Sequence, residues 1–161
     1  MAHEPRLTKA LRELFLAHRV AALGTCNSDG TPFVSMVPYA IGPDGRIVIH
    51  VSGLASHTRN LLAAPQVSLL VMQSEVPEEP VHALHRVTLM GHAVPLQTDT
   101  PAWTLARNAY LERFPEAEPM TQLGDFCFFA IQVSAAIQVA GFGAARTLDA
   151  QAINEALGAA L

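Results

Sequence analysis

The stretch GTCNSDGTPFVSMVPYAIGPDGRIVIHVSGLASHTRNLLAAPQVSLLV, residues 24–71, decides the fold. Asn27-Ser28-Asp29-Gly30 is a hairpin turn, because Asn, Asp and Gly accept the backbone angles that tight strand reversals need. It joins a strand over Val20–Cys26 to a second over Phe33–Ile41. Gly42-Pro43-Asp44-Gly45 repeats the signal and leads into a third strand, Arg46–Val51, whose Ile47, Ile49 and Val51 share one face. A polar turn then opens a short helix, with Ser56 or Thr58 placed to cap it. Pro65 stops that helix after Ala64, and Gln66–Met72 follows as a buried fourth strand.

Upstream, Leu7, Leu11, Leu14 and Phe15 recur at helical spacing, so an amphipathic helix is expected over 5–18, within an N-terminal segment 1–18. Downstream, Ser74–Val81 is a Pro/Glu-rich loop. Leu84–Val94 returns to strand and bends near Gly91. Thr100-Pro101 starts a helix over 101–113, and Ala117–Leu123 is a second short helical stretch. Asp125–Val133 and Ala136–Phe142 are expected to pair as a closing hairpin. The alanine-rich tail, 148–161, is helical by propensity. Consecutive hairpins with few intervening helices exclude a doubly wound sheet. The pattern predicts one domain over 1–161, a mainly β antiparallel barrel with peripheral helices.

Half of the 161 residues are apolar and only 15% are charged, so self-association is expected to cover part of the surface. A net charge of −4 with no basic run excludes a general nucleic-acid binder. Apolar runs are too short to span a bilayer, and the N-terminus lacks the apolar core of a signal peptide. Cys26 and Cys127 stand apart and imply no disulfide framework. The expectation is a soluble cytoplasmic protein.

Ser52, Ser56, His57 and Thr58 gather three hydroxyls and an imidazole beside the free amides of a helix start, which is how proteins hold a phosphate. Spacing alone favours the plainer use of Ser56 and Thr58 as caps, with His57 packed on the strand below. Arg86 lies on the strand face opposite Val87 and Leu89, where an arginine either meets solvent or neutralises an anion. Arg59 is expected to face water. The seven histidines include no metal-binding spacing, so no metal site is predicted. No G-x-S-x-G elbow is present, and Gly141-Phe142-Gly143 is not a phosphate loop.

Residues 24–71, with RVTLMGHAV (86–94) and DFCFFAIQVSAAIQVAGFGAAR (125–146), resemble the pyridoxamine 5′-phosphate oxidase-like, FMN-binding split β-barrels. The nearest branch includes the haem-utilisation proteins. The resemblance covers most of the chain and implies a homodimer with FMN at the subunit interface. It implies a phosphate held at Val51, Ser52, Ser56 and His57, with Ser35 contributing from the second strand and Arg86 near the flavin. Backbone around Val37–Tyr39 would edge the isoalloxazine ring.

The departures from that pattern matter. Oxidases of pyridoxamine phosphate carry Arg-Lys at the turn, where this chain has Ser56-His57. They also carry a C-terminal arginine motif that this sequence does not show, so that oxidase activity is not expected. Haem-degrading relatives use a histidine toward the C-terminus, whereas the last histidine here is His92; His50, His57 or His85 could substitute. This reading ranks FMN above haem: a flavin-dependent oxidoreductase acting on a small molecule. The alternatives are a haem-binding or haem-degrading protein, or a non-catalytic flavin-binding dimer. No side chain stands out as an obligatory acid or base, so catalysis itself is left open.

Overall fold

The computed structural model describes residues 5–158. Residues 1–4 and 159–161 of the expected terminal helices lie outside the described residues. The elements are α1 (Arg6–Ala17), β1 (Val20–Cys26), β2 (Pro32–Pro38), β3 (Ala40–Ile41), β4 (Ile47–Ser52), α2 (Ser56–Ala63), β5 (Gln66–Met72), β6 (Arg86–Pro95), α3 (Pro101–Arg113), β7 (Phe126–Val139), β8 (Ala145–Asp149) and α4 (Ala150–Gly158). Two 3₁₀ segments, Val81–Ala83 and Pro115–Gln122, join them. All strand pairs are antiparallel, in the order β2-β1-β5-β6-β7-β4-β3, with β8 also on β7. The sheet curls into a barrel that stays open between its two end strands, the split-barrel architecture expected from the sequence.

The strand organiser is β7. Of its 14 residues, those from Phe129 to Val139 run along β6, while its other edge is divided between β4 (Phe126–Ile131) and β8 (Ala135–Val139). The expected hairpin between Asp125–Val133 and Ala136–Phe142 therefore does not form. Ser134 and Ala135 look like a turn in sequence, but the strand continues past them with Ser134 as an unpaired bulge residue, and the chain reverses at Gly141 and Gly143, both with positive φ. A bulge between Met90 and Gly91 re-registers β6. Gly91 is required there, since a Cβ would run into the Gln132 carbonyl. The predicted second strand also breaks, at Tyr39, into β2 and β3.

Leu23, Val37, Ile47, Ile49, Leu69, Val87, Leu89, Phe129 and Ile131 fill the barrel, closed by α1 (Leu11, Leu14, Phe15) and α4 (Ile153, Leu157). A smaller core lies on the other face of β4 and β7, where Val48 and Phe128 meet Tyr110 and Phe114 against α3. The buried Tyr39 hydroxyl donates to the Phe15 (3.1 Å) and His18 (2.5 Å) carbonyls. Arg113 Nη2 donates to the same two carbonyls at 2.7 and 2.8 Å. Strand and helix α3 thus supply the C-terminal cap that α1 lacks in its own sequence.

The outward side of the sheet is the unusual one. Register places Met36, Ala22, Leu70, Thr88 and Ile137 in one rung across five strands. Val34, Gly24, Ser68, Met90 and Ala135 form the next. These rungs are apolar or small throughout, yet Val34 is 68% and Met36 63% exposed. No helix of the described residues is long and apolar enough to cross a membrane.

Candidate functional site

The turn between β4 and α2 was the foremost sequence candidate, and its hydroxyls are already engaged. Ser52 Oγ accepts from the Leu54 amide at 3.2 Å, making a tight polar turn. Thr58, 1% exposed, donates to the Ser52 carbonyl at 2.6 Å. The N-cap of α2 is Ala55, without a side-chain cap, so neither Ser56 nor Thr58 serves as expected. Arg59 does not simply face water: it folds back, Nη1 donating to the Leu54 carbonyl and Nη2 to Ser56 Oγ, both at 3.2 Å.

Ser35 and His57, 22 residues apart, meet between β2 and α2, Oγ to Nδ1 at 2.9 Å. Partial burial holds the His57 imidazole below its ordinary pKa and keeps it neutral near pH 7. Asn60 is a further member that sequence reading missed. Its Nδ2 donates at 3.0 Å to Thr25 Oγ1 and Asn27 Oδ1, tying α2 to the end of β1. Val37 and Val51 point into the core at 1% and 4% exposure and can offer a ligand only main-chain atoms. The structure thus brings Ser35, Ser52, Ser56 and His57 into one neighbourhood, but as a neutral, internally bonded one.

Arg86 lies elsewhere, at the start of β6. Nη1 donates to the carbonyls of His82 (3.3 Å) and Leu84 (3.0 Å), closing the 3₁₀ turn, while the rest of the guanidinium borders a groove lined by Met72, Glu75, Val81, His82 and Leu84. That groove shares Met72 and Glu75 with a second, of about 600 Å³. The larger one runs along the outward face between the end of α1 and β5, lined by His18, Arg19, Val20, Met36, Leu70 and Met72. Its volume is in the range of small-molecule sites, and its apolar wall with a few polar groups at one end is their usual composition. Neither His18 nor Met36 stood out in the sequence. The available signal was that β1, β2 and β5 carry apolar residues on both faces.

Three of the other histidines are committed. His85 Nε2 lies 3.1 Å from Gln138 Nε2, whose Oε1 accepts from Arg146 Nε at 2.7 Å; the amide therefore donates to the ring. Burial, and secondarily charge on His18, hold His85 below its ordinary pKa. His50, 7% exposed, is packed among Phe126, Phe128 and Tyr110, with ring centroids 4.2–5.7 Å away. His57 is bonded to Ser35. Among the described residues no cluster of three His, Cys, Asp or Glu side chains could hold a metal ion by itself.

An open antiparallel barrel with an uncovered apolar face and a groove along it defines a split barrel. A family sequence profile described as pyridoxamine 5′-phosphate oxidase matches residues 7–140, and the chain belongs to that family. It is 31% identical over 141 residues to the haem oxygenase HutZ of Vibrio cholerae, covering 87% of this chain and 80% of that protein. It is 38% identical over 117 residues to the chloroplastic non-canonical haem oxygenase HOZ of Arabidopsis thaliana, covering 73% of this chain but 34% of that protein. A haem-binding protein of Mycobacterium smegmatis superposes with a TM-score of 0.84 at 27% identity, over 96% of this chain and 62% of that one.

Proposed function

We propose that this protein binds haem, as a homodimer formed through its outward sheet face, and serves haem breakdown or haem handling rather than flavin chemistry. The observation that carries the reading is the groove beside α1. Haem is a flat apolar macrocycle with two carboxylates and an iron that takes an axial donor. Val20, Met36, Leu70 and Met72 offer apolar walls and His18 an imidazole for the iron. The residues present therefore fit the group. All three relatives compared above are named for haem.

The flavin reading is the weaker fit. A flavin phosphate gains most from charge-assisted bonds. Of the positions implied to hold it, Ser35 and His57 form a neutral pair, Ser52 Oγ accepts from the Leu54 amide and Ser56 Oγ accepts from Arg59. Haem, when bound, supplies an iron centre able to bind or activate dioxygen. The chain's part is to hold the macrocycle between apolar walls and exclude water.

A second copy is the natural cover for the exposed Val34 and Met36, since contiguous apolar patches of this kind mark interaction sites. Met36→Asp places a charge on both the groove wall and that face while leaving the barrel interior untouched. The expected result in a Soret-band titration with hemin and in light scattering is loss of saturable haem binding and of the dimer, with unchanged far-UV circular dichroism. A variant that stays dimeric and binds hemin as the wild type does overturns this placement.

A further inference from the structure

We propose that His18 is the axial iron ligand of this chain, an assignment that rests on the haem reading above. Position, freedom and rigidity together single out this residue. His18 is half-buried at the mouth of the groove, where α1 ends and β1 begins. Its imidazole makes no hydrogen bond to any described residue, so a ring nitrogen keeps its lone pair for a ligand. The other half-buried or buried imidazoles are taken: His57 by Ser35, His85 by Gln138, His50 by its aromatic box. His82 and His92 are exposed, on the 3₁₀ turn before β6 and at the far part of β6.

Rigidity is the second part. The main chain of His18 is held from three directions. Its carbonyl accepts from Tyr39 Oη at 2.5 Å and Arg113 Nη2 at 2.8 Å, and its amide donates to the Leu14 carbonyl at 3.1 Å. A ligand on a chain so fixed loses little freedom on binding, which is what a metal-binding position requires. The next residue, Arg19, borders the same groove, with its guanidinium 5.6 Å from the centre of the Phe114 ring. Neighbouring side chains of an extended link point to opposite sides, so the Arg19 guanidinium lies against Phe114 while the His18 imidazole is left at the groove. Coordination forms one bond, from a ring nitrogen's lone pair to ferric iron, and no electron changes hands.

The test compares wild type, His18→Ala, His18→Cys and His82→Ala in hemin titrations, with resonance Raman of the ferrous forms. The expected results are an imidazole-ligated spectrum in wild type and His82→Ala. His18→Ala is expected to weaken haem at least about tenfold, which corresponds to about 1.4 kcal/mol, and to lose the iron–imidazole band, restored by added free imidazole. His18→Cys is expected to show a thiolate-ligated spectrum, which a merely structural role for position 18 would not produce. Because the holding contacts are main-chain, the variants are expected to keep the wild-type circular dichroism. Wild-type binding with an unaltered spectrum in His18→Ala, or loss of the band in His82→Ala, overturns the assignment alone. Absence of saturable hemin binding to the wild type overturns the haem reading, and the assignment with it.

Discussion

Replacing His50 with phenylalanine isolates one buried titration. His50 is 7% exposed, its ring lies 4.2 Å from that of Phe128, and its Nδ1 has no hydrogen-bond partner. Desolvation lowers its pKa from 6.5 to about 4. A base whose folded pKa is lowered keeps its full contribution above the unfolded value and loses it as the pH falls toward the folded one. Between those limits the unfolded chain binds nearly one proton more, at a cost of about 1.4 kcal/mol per pH unit. From about pH 7 to about pH 5 the wild type therefore loses on the order of 2 kcal/mol through His50 alone.

His50→Phe keeps the aromatic packing and removes the proton site. Its stability at neutral pH combines removal of an unpartnered nitrogen with tighter packing, so that value is not the test. The test is the change between the two pH values, measured by urea unfolding at one fixed protomer concentration. With a slope of about 2 kcal/mol per molar urea, the wild-type midpoint should fall about 1 M further than that of the variant. His57 and His85 also titrate below their ordinary values, but they are present in both proteins. Equal acid sensitivity in the two would refute the reasoning. Hemin binding is expected to be unchanged, since His50 faces α3 rather than the groove.

Tyr39→Phe removes the hydroxyl that caps α1 beside His18 and should cost about 1–3 kcal/mol in urea unfolding; a loss under about 0.3 kcal/mol would show that Arg113 suffices. Both tyrosines are buried, Tyr39 raised well above the ordinary range and Tyr110 pushed up to about 12, desolvation being the larger cause in each. The folded protein should therefore show little tyrosinate absorbance at about pH 10.5, where the urea-unfolded chain is more than half ionised. Stability from these raised acids is full below the unfolded value of about 10 and is lost as the pH rises toward the folded ones. Ser56→Glu puts a carboxylate at the turn where a flavin phosphate was expected; it should leave hemin affinity within about twofold, because the groove lies elsewhere, and a larger loss measured by Soret titration would move the site back to the turn.

The parts of the fold that were legible were those written in local chemistry. Asn27–Gly30 and Gly42–Gly45 announce hairpins because few residues tolerate such turns, and Pro65 must end α2 because it cannot continue it. What escaped was set by partners distant in sequence. The 14-residue β7 looked like two strands because Ser134 and Ala135 carry little strand signal. The strand continues through a bulge at Ser134 because β6 pairs on both sides of it and β4 and β8 share the other edge. The candidate site was legible as a neighbourhood but not as a function. Ser35 and His57 do meet, yet only the fold makes them satisfy each other and turns Ser52, Thr58 and Arg59 onto backbone carbonyls and amides. Met36 and His18 read as an ordinary strand residue and a helix end. Their shared groove emerges once β1 and β2 are paired with Ala22 opposite Met36.

The central claim is that the ligand is haem and not FMN, and parallel titration of hemin and FMN into ligand-free protein tests it most directly. Absorbance difference spectra at fixed protomer concentration should show hemin saturating at about one per protomer with micromolar or tighter affinity, and no saturable change with FMN. Saturable FMN binding in the micromolar range, with hemin adding only a non-saturating background, would contradict the account.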